Sequence, residues 1–270
     1  MGVPADPVKA SVRRADLVSM WWIWVAACLV VAVVGVGRAR RRGRRQRALL
    51  IACHDAGLKF SVLDPFDDTS WLPFPLFSAT RSPEVRNVVW DGRDDTAVRV
   101  FDLAVDEVVT DEDGISQRRR LSCAAVPLPF ACPRLSIAAR GAPDPAGLPT
   151  AGDEIRLELD AFNQRFVVRA ADPRAAVAFC DQRMMRALMA LPLDVTVHVN
   201  EHVMFLAAPT LEAGETLVLL EAARGLARSV PSVVASLYPP RPARGPHEDR
   251  WLQGAWSPAP TANEPPPAST

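Results

Sequence analysis

The sequence predicts an α+β protein: an N-terminal transmembrane helix, then a mostly antiparallel sheet with helices packed on one side. Three observations predict it. Residues 17–37 carry no charge. Period-two apolar runs separated by turn residues follow, from residue 58 to residue 139. Helical spacing comes later, over residues 172–191 and 211–229. The order is strands first, then strand, helix, hairpin and helix; without regular βαβα alternation a parallel sheet is not expected.

Leu17 to Gly37 reads LVSMWWIWVAACLVVAVVGVG. As a helix rising about 1.5 Å per residue it would reach roughly 30 Å, the thickness of a bilayer's hydrocarbon core. Trp21, Trp22 and Trp24 gather at its start, where indole rings favour the headgroup boundary. The stretch is long for a signal peptide and no A-x-A site closes it, so a retained span is expected rather than a cleaved leader. Arg38, Arg40, Arg41, Arg42, Arg44, Arg45 and Arg47 follow at once, against Lys9, Arg13 and Arg14 before it. Basic residues stay on the cytoplasmic side. The expectation is a single-pass protein of the cell membrane, with residues 1–16 outside and the C-terminal domain in the cytoplasm. The seven arginines would then contact anionic lipid headgroups, and 38–56 would form a basic juxtamembrane helix ended by Gly57.

The soluble domain is expected over 57–238. Leu58–Leu63 alternates and ends at Asp64-Pro65. Trp71–Phe77 is apolar but broken by two prolines, so it reads as an extended loop packed on the domain. Arg86–Trp90 and Thr96–Val109 read as strands around the turn Asp91–Asp95, with a slip of period near Phe101-Asp102 that would mark a bulge. Asp111–Gly114 reads as a solvated hairpin tip, lacking the later ligands of a calcium loop. Gln117–Leu128 is a strand stopped by Pro127 and Pro129, with a short strand at Leu135–Ala139 and a Pro/Gly-rich loop over 142–152. Ile155–Leu159 and Phe166–Ala170 alternate again.

Asp172-Pro173 opens a helix, Asp as cap and Pro at the first helical position. Its apolar stripe (Ala176, Phe179, Cys180, Met184, Ala187, Leu188, Leu191) runs to Pro192 and reads as core. Val195–Val199 and His202–Leu206 flank Asn200-Glu201 as a short hairpin, and Leu211–Ser229 is the last helix. In residues 239–270 nine positions are proline, the composition of a disordered tail.

Charge narrows the function. Lys+Arg and Asp+Glu both total 31, but ten of the basic residues and only two of the acidic ones fall in residues 1–47. The remainder is acidic, a poor footprint for phosphate, so nucleic acid is not an expected partner. The five cysteines are odd in number, with no C-x-x-C pair; neither a disulfide framework nor a zinc site is implied. Across the expected hairpin His198 and His202 would lie on opposite faces, too few for a metal centre. H-E-x-x-H, G-x-S-x-G, Walker A and G-x-G-x-x-G are all missing. No catalytic, metal or cofactor-binding residue is assigned.

From residue 48 to 238 the order of motifs resembles a family of uncharacterised bacterial membrane-anchored proteins. Four stretches carry the resemblance: Ala56-Gly57-Leu58-Lys59-Phe60; Pro73–Phe77 with Arg86-Asn87-Val88-Val89 and Val100-Phe101-Asp102; Asp160–Val168 running into Ala171-Asp172-Pro173-Arg174; and Arg183-Met184-Met185. It departs from the family at Leu103 and Gln182. The resemblance implies a single-pass anchor and a cytoplasmic α+β domain, and no activity. The reading that results is a membrane-anchored cytoplasmic protein-interaction module with an unknown protein partner. Its rivals are an enzyme or ligand-binding domain using dispersed polar residues, with Asp102, Asn163 and Arg165 as the set to find in one pocket, and a lipid or nucleic-acid binder working through the arginine run.

Overall fold

A computed structural model describes residues 8–67, 71–78, 81–91, 97–108, 116–149, 152–191 and 194–238, without the side chains of 8–23, 31, 34, 38, 107, 108, 116 and 117. The turn at 92–95, the hairpin tip at 111–114 and the proline-rich tail lie outside the described residues. The chain divides into two compact units, Met1–Arg47 and Ala48–Thr270.

The first element, α1, is one helix of 48 residues, Val8–Asp55. Among the described residues no helix is long and apolar enough to cross a membrane. This corrects the transmembrane helix expected over 17–37 and the single-pass topology drawn from it. The arginine run lies inside the same continuous helix.

In the second unit the last turns of α1 bury Leu49 and Cys53 in the core. Gly57, at φ +68, ends the helix in the left-handed conformation that glycine takes without strain. The strands are β1 (Lys59–Leu63), β2 (Glu84–Trp90), β3 (Arg99–Val108), β4 (Ser116–Ala139), β5 (Glu154–Ile155), β6 (Phe166–Ala170) and β7 (Thr196–Pro209). Every strand pair is antiparallel, so the mostly antiparallel sheet is what forms.

β4 is the spine. Its 24 residues pair with β3 over the first half and with β6 at the end, on one edge, and with β7 along the other. The prolines expected to split this run do not. Pro127, Pro129 and Pro133 fall between the β3 and β6 ladders, where that edge of β4 has no partner among the described strands and a missing N–H breaks no ladder there. The two register shifts of the β4–β7 ladder lie in the same stretch.

β7 also departs from expectation. No hairpin forms at Asn200-Glu201; the chain continues as a single strand with Glu201 at φ +53. The irregularity inserts a residue and reverses the parity of the side chains. Val197 and Val199 face one core cluster, and Met204, Leu206 and Ala208 face the same one, while Val203, Phe205 and Ala207 face the other. The slip read near Phe101 is real but sits on its neighbour: Arg86 pairs with Asp102 and Val89 with Val100, so Asn87 and Val88 together oppose Phe101. Asn87 is at φ +54, and its amide donates to Asp102 at 2.7 Å. β3 itself alternates cleanly, both of its faces being buried.

Among the described residues five helices follow α1: α2 (Asp160–Arg165), α3 (Pro173–Phe179), α4 (Gln182–Met189), α5 (Ala213–Ser229) and α6 (Ser232–Leu237). All contribute to one cluster on one side of the sheet, with Phe162, Phe179, Met184, Met185, Leu219, Leu220 and Val234 at its centre. The helix expected over 172–191 is two. Asp172 caps α3 by accepting from Arg174 N, and Asp181 caps α4 by accepting from Met184 N. The second cap restarts the helix, and the apolar spacing continues across the break. Of the expected strand 155–159 only Ile155 pairs, with Glu154 just before it; the chain turns instead into α2. On the other face the Trp71–Phe77 segment packs as expected, through Leu72, Phe74, Leu76 and Phe77, closing with a short 3-10 turn at Pro75–Phe77.

Candidate functional site

The loop-covered face carries a small cleft. Phe74 and Pro75 form one wall, Leu148 and Pro149 another; Arg134, Leu135 and Ser136 of β4 and His198, Val199 and Asn200 of β7 complete it. It measures about 20 Å³, room for one or two waters.

Sheet register places its polar groups. Ser136 and His198 are directly opposed across the β4–β7 ladder, which puts their side chains on one face with β-carbons roughly 4.5–5.5 Å apart. Both are buried, at 7% and 5% exposure. The His198 imidazole meets Asp144 from the loop after β4, Nε2 to Oδ2 being 3.2 Å. That loop is shaped by the same carboxylate. Asp144 Oδ1 accepts from Ala146 N at 3.0 Å, and Oδ2 accepts from Leu148 N at 2.9 Å, an Asx-type turn that replaces missing backbone partners. The anchored Ala146 and Leu148 are buried in the second core cluster. Burial alone would raise the Asp144 carboxyl. The imidazole beside it and the two backbone N–H groups more than offset this and hold it below the usual carboxylate range. On the opposite wall the Asn200 amide donates to the Pro73 carbonyl at 2.5 Å, which ties the Phe74–Pro75 turn to β7.

None of the residues singled out from sequence as a dispersed enzymatic set lines this cleft. Asp102 accepts from Asn87 and, at 3.1 Å, from Ser122, whose Oγ in turn accepts from Leu211 N. The chain of bonds ties β2, β3 and β4 to the entry of α5. Asn163 folds back on the chain before α2, accepting from Leu157 N at 3.0 Å and donating to Leu157 O at 2.7 Å. Arg165 donates to the Met189 carbonyl at the end of α4 and lies over the Phe166 ring, 5.3 Å from its centroid. All three hold the fold together, and they do not converge.

The headgroup residues expected from sequence lie in the first unit. Trp24, Arg40, Arg41, Arg42, Arg44 and Arg47 are exposed and Arg45 is half-buried. Trp21, Trp22 and Arg38 belong to α1, but their side chains lie outside the described residues. His202 faces away from His198 because of the bulge at Glu201. The five cysteines are free thiols; burial pushes Cys53 up to about 11 and Cys132 and Cys180 up to about 12, which leaves them poor nucleophiles.

The His198–Asp144 pair is the feature that sequence reasoning missed. The two residues lie far apart in the chain, with no motif spacing between them. The usable signal was an aspartate two residues before a small buried residue within a Pro/Gly-rich loop, the pattern of a side chain that caps its own turn.

Fold and cleft together define an α+β domain whose antiparallel sheet has helices on one face and loops on the other. No family model matches the chain, and no curated protein does. Among solved structures it is similar to the crystal structure of the mycobacterial trehalose monomycolate transport factor A, TtfA. The TM-score is 0.48 at 16% sequence identity, covering 74% of this chain and 97% of that one.

Proposed function

We propose that the chain is a protein-interaction module rather than an enzyme. The size of the cleft carries the reading. About 20 Å³ cannot enclose a substrate, since small-molecule sites usually measure roughly 300–1,000 Å³. The polar residues that could have formed a dispersed catalytic set are engaged in structural bonds instead. A surface of this kind binds by docking a protruding group of a partner. The test is a photo-crosslinking amino acid at Pro149, on the rim of the cleft, in the full chain in its native cells. A discrete adduct is expected from Pro149 and not from Arg156, an exposed position that does not line the cleft. Equal adducts from both positions, or none from either, would reject the reading.

A second reading concerns the first unit and is independent of the cleft. Arg40, Arg41, Arg42, Arg44 and Arg47 are exposed along α1, a density of positive charge that suits anionic headgroups. Each basic side chain near such a surface contributes about 1 kcal/mol. The full chain is therefore expected to co-sediment with vesicles containing phosphatidylserine. Changing these five arginines to glutamine should reduce that binding at least tenfold. Unchanged binding by the variant would remove the reading.

A further inference from the structure

We propose that the cleft recognises a carboxylate, supplied by an acidic side chain or chain end of a partner protein. This deepens the interaction reading, on which it rests, by assigning the partner's chemistry. Three observations support it. First, Arg134 lines the cleft and is exposed. Among the described residues some arginines of the domain are paired, Arg140 with Glu154, Arg118 with Glu84 and Asp106, and Arg224 with Asp91 and Glu221, while others, Arg169 and Arg186 among them, are not. Among the described residues Arg134 has no ion pair. A guanidinium left open beside a concavity is suited to bind a planar carboxylate through two parallel hydrogen bonds.

Second, Ser136 lines the same cleft with a hydroxyl that has no hydrogen-bond partner among the described residues, although the residue is more than nine-tenths buried. A hydroxyl in that position is free to turn and donate to a ligand in the cleft. Third, Asp144, the carboxylate against the cleft's imidazole, is already engaged. Asp144 stands behind His198 and accepts from two backbone N–H groups as well as facing the imidazole. Arg134, Ser136 and His198 line the cleft, and Asp144 is not among its lining residues.

Size and walls agree with this chemistry. A volume of about 20 Å³ is that of one or two waters, the scale of a carboxylate head and not of a whole ligand. Phe74, Pro75, Leu148 and Pro149 surround it with apolar surface. They lower the local dielectric around the ion pair and offer contact to the side chain that precedes the acid.

The experiment is calorimetric titration of the full chain with acetyl-Ala-Phe as the free acid, the same dipeptide as its amide, and acetate. The free acid should bind saturably and at least tenfold more tightly than the amide. Arg134→Gln should remove that preference while leaving the thermal midpoint unchanged, Arg134→Lys should retain part of it, and Ser136→Ala should weaken the acid a few-fold. Equal binding of acid and amide, no saturable binding of any probe, or an unaffected Arg134→Gln variant each overturns the proposal. Acetate binding as tightly as the dipeptide acid would overturn the partner-protein source in favour of a small free acid. If the titrations fail while Pro149 still crosslinks, the cleft docks a partner without a carboxylate, and the interaction reading stands alone.

Discussion

Replacing Gly152 by alanine is expected to destabilise the second unit by about 3–5 kcal/mol, a large share of the ~5–15 kcal/mol that holds a typical domain folded. Gly152 sits just before β5 at φ +74, and a β-carbon there would lie 2.0 Å from the Ala170 carbonyl oxygen and 2.8 Å from its carbon. Ala170 ends β6 and pairs with Leu135 of β4, so the obstructing atoms belong to a ladder on the central strand and cannot swing away like a side chain. Gly141 supplies the control. It has φ +79, but a β-carbon would meet nothing within 4 Å. Gly141→Ala therefore carries only the cost of a left-handed backbone, about 1–2 kcal/mol. Urea denaturation of the two variants separates the terms. Equal shifts in midpoint would show that the close approach to Ala170 contributes nothing.

How much of this was readable in advance depends on whether a feature is local or is decided by partners. The cap at Asp172 and the proline-broken Trp71–Phe77 loop were legible, because each rests on residues adjacent in sequence. Where Pro127 and Pro129 were read as strand ends, the outcome turned on an edge: both lie in β4 where one edge has no partner among the described strands, a fact held by β3 and β6 and not by β4. The hairpin at Asn200-Glu201 failed for a related reason. Two polar residues between apolar runs suit a turn, but β4 is long enough for β7 to pair on both sides of Glu201, and a bulge absorbs the interruption. α2 escaped notice because it has only six residues, too short for a period, and is fixed by the bonds of Asn163 to Leu157. The transmembrane expectation rested on the run 17–37 and its flanks, its start marked by tryptophans and its end by arginines. The cleft was the least legible, since it is assembled from β4, β7 and two loops by cross-strand register, and no stretch of sequence contains it.

Asp144→Ala is expected to cost about 2–4 kcal/mol, and the cost should be largest at neutral pH. Two mechanisms add. The carboxylate satisfies Ala146 N and Leu148 N, and losing an acceptor of capping type costs about 0.5–2 kcal/mol. It also faces the His198 imidazole, and a buried polar group left unsatisfied costs about 1–3 kcal/mol. The pH dependence follows from the direction of the shift. The folded carboxyl titrates below the ordinary aspartate range, so the folded state binds the proton less readily than the unfolded state does. The stabilisation is therefore fully present above the unfolded value, about 3.9, and is lost as pH falls through the lower folded value. Asp144→Asn keeps an oxygen acceptor without the charge. It should be less stable than the wild type at pH 7, and the gap should close as the pH is lowered from about 5 toward 2. Chemical denaturation at three pH values measures this; a gap that is constant or widens toward acid would show that the charge on Asp144 does not stabilise the loop. Such a result would also weaken the carboxylate assignment, because that assignment takes the charge of Asp144 to be engaged inward, leaving Arg134 the charge that faces a partner's acid.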